Sequence, residues 1–181
     1  MDEFRNIVEK YQSALNQLGL GIDIQTQENE NGLLSTFRFR NKWWNISVSK
    51  VVDDFVHVSV ESYNLNKIAP PDAKGLFHTK PMAAFYLIES LSDVFSSILA
   101  HHLGEYLRKQ YNLKVEFRRR EPDYALWVDN YLRVVVRLKP HTIHLHLHDS
   151  KNGKEYNEAI PLGDNCCIDR VAAAITLLVM L

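Results

Sequence analysis

Cysteine is scarce in this sequence, and its scarcity excludes a small fold held together by disulfide bonds. The 181 residues include only two cysteines, Cys166 and Cys167, which are adjacent in the chain. Neighbouring cysteines rarely bridge each other, because their Cα atoms lie closer together than disulfide geometry prefers. The simplest interpretation is a protein of a reducing compartment, so we expect a cytoplasmic location.

Long apolar runs are missing as well. The N-terminal stretch MDEFRNIVEKYQ opens with Asp2 and Glu3 and lacks the apolar core of a secretory signal peptide. The most apolar segment, residues 171–181, is too short to cross a bilayer. We therefore predict a soluble protein that has no membrane partner.

Neither sign of charge dominates the chain. The formal net charge is −1, which disfavours a globally basic nucleic-acid-binding protein but leaves room for a local basic surface. Hydrophobic residues make up 46% of the sequence and charged residues 24%, so the chain can bury a core and is not intrinsically disordered.

Recognised catalytic motifs are also missing. The sequence contains no G-x-S-x-G, no P-loop, no glycine-rich phosphate turn and no H-E-x-x-H. Cys166 or Cys167 would lie near the start of a helix, where a thiol pKa is often lowered, but no pattern supplies a base for either. We therefore expect a non-enzymatic protein with no catalytic residues and no cofactor.

What the sequence does contain is an order of elements that occurs twice. A shift of 89 residues places Ala83 on Ala172 and His57 on His146, and helical and alternating patterns follow each other in the same order in both halves. We predict an α+β fold of two related helix–antiparallel-strands–helix units in tandem, with the helices packed against antiparallel sheet. The units are placed at 1–100 and 101–181, with the boundary within or near a helix; one compact domain is the alternative.

Several elements carry specific expectations. A β-hairpin is predicted at the turn ENENG and another at the dipeptide Asn152–Gly153. The prolines and glycine of residues 66–75 predict a loop, and the alternating pattern over 113–120 predicts a strand. The middle helix either runs through Gly104 to about Tyr111 or breaks near Gly104, because glycine costs about 1 kcal/mol in a helix interior. The C-terminal helix is apolar almost all round, so it should be buried in the core or in a homodimer interface.

The segment HTIHLHLHD, residues 141–149, is the most suggestive of chemistry. Pairing it with the preceding strand through a turn at Pro140–His141 matches Val134 with Leu147, Val136 with Leu145 and Leu138 with Ile143. The opposite face of this hairpin then carries three histidines and two arginines, namely His144, His146, His148, Arg133 and Arg137.

This histidine-rich face could hold either a metal ion or an anionic partner. Three histidines at alternate strand positions span roughly 13 Å, so a zinc site would need a ligand from another strand, and neighbouring arginines would repel a dication. We therefore predict no metal site and a polar strand face. Such a face suits an acidic protein segment or a nucleic-acid backbone, and histidines add positive charge below about pH 6.5.

The pair Trp43–Trp44 is the other conspicuous feature. On a strand the two side chains point to opposite faces, so Trp44 would face the core while Trp43 lies on the outer face. An exposed tryptophan is a common anchor for a protein partner. The alternative is that the second unit or the loop at 66–80 covers Trp43.

The layout resembles the type III secretion chaperone-like superfamily, which includes the class I secretion chaperones and the YbjN family. The resemblance lies at the end of the first helix and just before the last one, at Leu15, Leu18, Gly19, Leu20, Ile160, Pro161 and Leu162. It implies a small, non-enzymatic, often dimeric protein that binds an extended segment of a partner and has no catalytic residues. The chain differs from that group in repeating the full set of strands.

The sequence therefore predicts a non-enzymatic protein-binding, chaperone-like or regulatory module that holds a partner segment on its sheet faces, with a homodimer through the C-terminal helix as a further expectation. The alternative is a metal-binding or nucleic-acid-binding protein that uses the His/Arg-rich face of the second unit. The candidate partner-binding residues are Trp43, Arg133, Arg137, His144, His146 and His148.

Overall fold

The computed structural model describes residues 1–40, 42–50, 55–64, 73–77, 79–163 and 168–180. Within these residues the chain forms three helices and two five-stranded antiparallel sheets, which confirms the mixing of helices with antiparallel sheet. The elements are α1 (Asp2–Gln17), β1 (Asp23–Asn29), β2 (Gly32–Phe39), β3 (Lys42–Lys50), β4 (Val56–Asn64), β5 (Ala73–Phe77), α2 (Lys80–Tyr111), β6 (Val115–Glu116), β7 (Ala125–Val128), β8 (Leu132–Leu138), β9 (Thr142–Asp149), β10 (Lys154–Pro161) and α3 (Ile168–Met180).

The chain divides into two compact units. The first comprises Met1–Asn16 and Gly21–Leu91, and the second comprises Gln17–Leu20 and Ser92–Leu181. The boundary between Leu91 and Ser92 falls inside α2, so this helix contributes its N-terminal part to the first unit and the remainder to the second.

Helix α1 packs in the first unit through a stripe at helical spacing, formed by the buried residues Phe4, Ile7, Val8, Tyr11, Ala14 and Leu15. Tyr11 is fully buried, and its hydroxyl donates to the Ile88 carbonyl at 3.1 Å, so the polar end of the side chain is satisfied inside the core. The helix ends just before Gly19 and Gly21, which adopt positive φ angles of 65° and 63°.

The first sheet has the strand order β1-β2-β3-β4-β5. The turn expected at ENENG is confirmed: Asn29 pairs with Gly32, and the Asn29 side-chain oxygen accepts the backbone N–H groups of Asn31 and Gly32. The loop predicted over 66–75 is wrong at its end, because Ala73–Phe77 form β5, an edge strand paired with β4. The rest of that loop, residues 66–72, lies outside the described residues.

The second sheet has the order β10-β9-β8-β7-β6. Its pairing of β8 with β9 confirms the predicted register, with Val134 opposite Leu147 and Val136 opposite Leu145. Apart from Val135, the apolar members of this hairpin are almost completely buried, because period-two alternation places them on one face. The hairpin predicted at Asn152–Gly153 is also confirmed, since β10 pairs with β9.

Helix α2 meets the end of β8 through two buried serines. Ser92 donates its hydroxyl to the Leu138 carbonyl at 2.7 Å, and the Leu138 amide donates to the Ser96 hydroxyl at 2.8 Å. Both serines have a relative exposure of 0%, so these bonds supply partners for backbone groups that would otherwise be orphaned away from water.

Helix α3 is buried on one side only. Val171, Ala172 and Ile175 are fully buried, whereas Leu177 is 64% exposed and Met180 is 78% exposed. The Tyr131 hydroxyl donates to the Val179 carbonyl at 3.1 Å and ties the last turn of α3 to the sheet of the second unit. The expectation that this helix is buried therefore holds for one face, and the other face is apolar and exposed.

Helix α2 is long and apolar enough to span a membrane by length and composition, but 67% of its most apolar window is buried inside the protein. A core helix of a soluble protein has the same composition. The helix runs unbroken through Gly104 to Tyr111, which confirms the first of the two alternatives for this element.

Gly104 of α2 lies against Val115 of β6 and against Phe117, which follows that strand. A Cβ atom at this position would sit 3.1 Å from Phe117 Cζ and 3.3 Å from Val115 Cγ1. The Phe117 ring is itself held by stacking on His101, with ring centroids 4.1 Å apart. The glycine therefore costs helix propensity but permits the close approach of the two elements.

Gly104→Ala should reveal these two opposing contributions. We expect little net change in the free energy of unfolding, because about 1 kcal/mol gained in helix propensity is offset by crowding against Phe117. In a Phe117→Ala background the same substitution should stabilise by up to about 1 kcal/mol, since the ring is gone and only the contact with Val115 remains. Urea unfolding of the four proteins measures the difference, and equal effects of Gly104→Ala in both backgrounds would show that the ring contact is unimportant.

Candidate partner-binding face of the second sheet

We use the name outer face for the side of the second sheet opposite its buried apolar residues. It comprises Trp127, Arg133, Val135, Arg137, His144, His146, His148, Glu155, Asn157 and Ala159. Strand register arranges these side chains in rows. One row joins Trp127, Arg133, His148 and Glu155, a second joins Val135, His146 and Asn157, and a third joins Arg137, His144 and Ala159.

Arg133 is held in a bidentate ion pair. Its Nε and Nη2 atoms donate to the two carboxylate oxygens of Glu121 at distances between 2.7 and 3.1 Å. The hydrogen bonds and charge of Arg133 lower the pKa of Glu121, against an opposing effect of burial, and Glu121 correspondingly raises the pKa of Arg133. One of the predicted cations is thus already paired within its own unit.

Trp127 lies beside this ion pair. The guanidinium carbon of Arg118 sits 3.7 Å from the Trp127 ring centroid, a close cation–π contact. The Trp127 indole N–H is buried and lies near enough to Glu121 to help lower the pKa of that carboxylate, although it does not reach hydrogen-bond geometry. The structure therefore joins Arg118, Glu121, Trp127 and Arg133 into one cluster.

Sequence reasoning missed Glu121 as a member of this cluster. It lies in the loop between β6 and β7, where Glu121 N donates to Arg118 O and closes a turn. The strand predicted over 113–120 is correspondingly wrong in length, since only Val115–Glu116 pair with β7. No periodic signal in a loop marks which acid will reach a strand twelve residues away.

Arg137 is also engaged within its unit. Its Nη1 atom contacts an Asp93 carboxylate oxygen from α2, and its guanidinium carbon lies 4.6 Å from the Tyr124 ring centroid. The sequence placed Arg137 correctly on the outer face but gave no sign of Asp93, which is 44 residues away. The face is therefore less basic than its own strands suggest.

The three histidines occupy the outer face as predicted from alternation. His144 Nε2 lies 3.1 Å from the Thr142 hydroxyl, and His146 Nδ1 lies 2.7 Å from Asn157 Oδ1. His148 sits between Arg133 and Glu155 in register. In the part of the chain that the structure describes, no group of three or more histidine, cysteine, aspartate or glutamate side chains is arranged to hold a metal ion.

A shallow concavity of about 240 Å³ lies between the second and third rows. Its lining includes Val135, Arg137, His144, His146 and Asn157. The volume is below the roughly 300 Å³ at which small-molecule pockets begin, and it suits one or two side chains of a larger partner. An apolar strand residue beside imidazole and guanidinium groups can accept a side chain with both apolar and polar atoms.

Trp43 lies in β3, opposite Arg38 on β2 and Tyr63 on β4. Its side chain lies outside the described part of the structure, as do Cys166 and Cys167. The structure therefore brings together five of the six candidate residues, all on the outer face, while Trp43 belongs to the other unit.

Comparison of the chain with protein-family models, curated proteins and solved structures found no match. The resemblance to the type III secretion chaperone-like superfamily therefore stays a prediction.

Replacing Glu121 by glutamine should change how stability depends on pH. A carboxylate whose folded pKa is lowered stabilises the fold above its ordinary value near 4.5, and this contribution is lost as pH falls through the lowered value. We expect Glu121→Gln to cost about 1 kcal/mol at pH 7, and the difference from wild type to shrink as the pH falls below about 4.5.

Urea unfolding at several pH values checks this expectation, with Glu158→Gln on exposed β10 as the control that removes one carboxylate elsewhere in the sheet. A constant difference between wild type and Glu121→Gln at all pH values would contradict it.

Proposed function

We propose that this chain is a non-enzymatic protein-binding module, chaperone-like or regulatory in type, that holds an extended segment of a partner on the outer face. A cytoplasmic location belongs to the same proposal, supported by the paucity of cysteine and by the largely buried state of α2. The observation that carries the proposal is the contrast between the two sides of β8 and β9.

On one side of these strands the apolar residues are almost completely buried, and on the other the side chains are exposed or half-buried and, apart from Val135, polar. The outer-face groups are also held in place before any partner binds. Arg133, Arg137 and His146 each have a side-chain partner on another element of the unit, so little side-chain entropy remains to be lost on binding. A fixed face with a shallow concavity can receive one or two side chains of a peptide at a low cost in conformational entropy.

The alternative functions receive less support from the same geometry. A nucleic-acid backbone would have to compete with Glu121 for Arg133 and with Asp93 for Arg137. A metal ion would have to recruit further ligands, because His144 lies against Thr142 and His146 against Asn157.

The tandem layout is part of the proposal. Each sheet is a five-stranded antiparallel meander, and His57 and His146 lie on the fourth strand of their respective sheets. Their neighbours are buried in the same alternating way, with Val56 and Val58 in the first sheet matching Leu145 and Leu147 in the second. This correspondence supports two related helix–strands–helix units.

A selection of random linear peptides on the folded chain tests the proposed function. Peptides that bind wild type should bind His146→Ala and His144→Ala about tenfold more weakly, because both side chains line the concavity. His141→Ala is the matched control, since His141 is exposed in the turn between β8 and β9. Binding is measured by fluorescence anisotropy, and thermal melts establish that the variants are folded.

Failure to select any peptide, or peptides whose affinity is the same for all three variants, would contradict binding at the outer face. Zinc retention at one ion per chain that is lost in His144→Ala and His146→Ala would favour the metal-binding alternative instead.

A second copy of the chain is the partner that we propose for the exposed side of α3, because Leu177 and Met180 leave an apolar surface there. Leu177→Glu should shift sedimentation velocity profiles from dimer towards monomer. Gln110→Glu introduces the same acidic side chain, with the same change of charge, at an exposed position outside α3 and should leave the distribution unchanged. A wild-type chain that is monomeric at every concentration tested would exclude this dimer.

A further inference from the structure

A strongly basic stretch borders the outer face. Residues 108–120 contain six basic side chains and one acidic side chain, a formal charge of +5 in a chain whose net charge is −1. We call this stretch the basic segment. Its cationic members are all exposed, namely Arg108, Lys109, Lys114, Arg118, Arg119 and Arg120.

The backbone of the basic segment is fixed at several points. Arg108 Nε donates to the Val115 carbonyl at 3.2 Å, which ties the end of α2 to β6. Lys114 N donates to the Asp129 side chain at 3.1 Å, and Asp129 N donates back to the Lys114 carbonyl at 2.8 Å. The turn from Arg118 to Glu121 closes with a backbone bond of 3.0 Å. The cations are thus presented from a rigid support, which lowers the entropy cost of binding.

Nearby acids compensate this charge only in part. Lys114 pairs with Glu116 at 3.1 Å, but both side chains are largely exposed, and such pairs contribute little. Glu121 is paired with Arg133, and the Asp129 carboxylate accepts a hydrogen bond from the backbone N–H of Lys114. Asp123 is a further exposed acid in the same loop.

The turn at Arg118–Arg120 adjoins the outer face, because Arg118 stacks on Trp127. We infer that the partner segment is acidic, and that its carboxylates pair with Arg118, Arg119 and Arg120 where the segment leaves the outer face. This inference rests on the proposed function and names the chemistry of its partner. Guanidinium groups bind carboxylates through parallel N–H donors, as Arg133 already does with Glu121.

An acidic peptide fits this surface better than a nucleic-acid strand. Residues 92–181 carry twelve basic and eleven acidic side chains, so the basic segment is a local tract and not part of a broadly basic unit. Beside the turn at Arg118–Arg120, Trp127 is covered by Arg118 and Phe117 stacks on His101, so neither ring offers a bare platform for a base; Tyr111, 36% exposed, lies at the other end of the basic segment. A short tract of cations matches a short run of carboxylates.

A labelled alternating glycine–glutamate peptide tests the inference, with the glycine–glutamine version as its neutral counterpart and a thymidine oligonucleotide of equal length as the nucleic-acid probe. Wild type should bind the acidic peptide at least about tenfold more tightly than the neutral one. Raising the salt concentration from about 50 to about 200 mM should weaken that binding several-fold, because exposed charges are screened.

Arg119→Ala combined with Arg120→Ala should weaken binding of the acidic peptide about tenfold. Lys154→Ala combined with Arg170→Ala removes the same charge from exposed positions elsewhere in the second unit, and should change the affinity less than about twofold. Asp123→Asn should strengthen binding about twofold, since it removes an exposed negative charge from the loop that carries Arg118–Arg120. This gain separates a charge effect from damage to the fold.

Equal affinity for the acidic and neutral peptides, or no effect of the double arginine substitution, would overturn the inference. Tighter binding of the oligonucleotide than of the peptide, lost in the same double variant, would overturn it in favour of nucleic acid. If the peptides that bind the outer face lack acidic residues, the inference is contradicted but the proposed function is not. If no peptide binds the outer face, the proposed function itself is contradicted.

Discussion

The register of β8 against β9 is the constraint on which the second unit depends. Because side chains alternate between faces, this one pairing decides that Val134, Val136 and Leu145 lie in the core while the histidines and arginines lie outside. A slip of one residue would bury guanidinium and imidazole groups and expose the apolar set, at a cost of several kcal/mol for each uncompensated charge. The alternation of apolar and polar residues along the two strands thus makes the observed pairing the strongly favoured one.

Once the register is fixed, the charges of the outer face find partners from elsewhere in the same unit. Glu121 comes from a loop and Asp93 from α2, and each meets an arginine whose position on β8 is set by alternation. Partly exposed pairs of this kind contribute about 1 kcal/mol or less to stability, so their larger effect is on geometry: they hold two long side chains in defined orientations. A surface that looks basic along its strands is therefore ordered and largely balanced, and the uncompensated charge lies at its border.

Sequence reasoning succeeded where local pattern and global fold agree. The alternation in residues 132–149 predicted the register of β8 with β9, and Asn152–Gly153 predicted the last hairpin. The periodicity of α2 predicted a helix but did not decide whether it continues through Gly104. The close approach of Phe117 and Val115 explains why a glycine occurs there. It failed where tertiary context decides. The sequence of β5 contains a glycine and a lysine and is typical of a loop, and β6 is far shorter than the alternating pattern around it predicts. No local sequence pattern identifies the two acids that pair with Arg133 and Arg137.

The open edge of the second sheet at β10 has a further consequence. This eight-residue strand is exposed at six positions and, among the residues that the structure describes, pairs with β9 alone, so one side of it presents backbone groups without a strand partner. Such an edge invites strands of other chains to add to it. Lys154, Glu155 and Glu158 place charge along it and Pro161 ends it without an amide donor, so continued strand addition would bring like charges together and lose a hydrogen bond. These four residues of β10 therefore oppose aggregation of the protein through its open sheet edge.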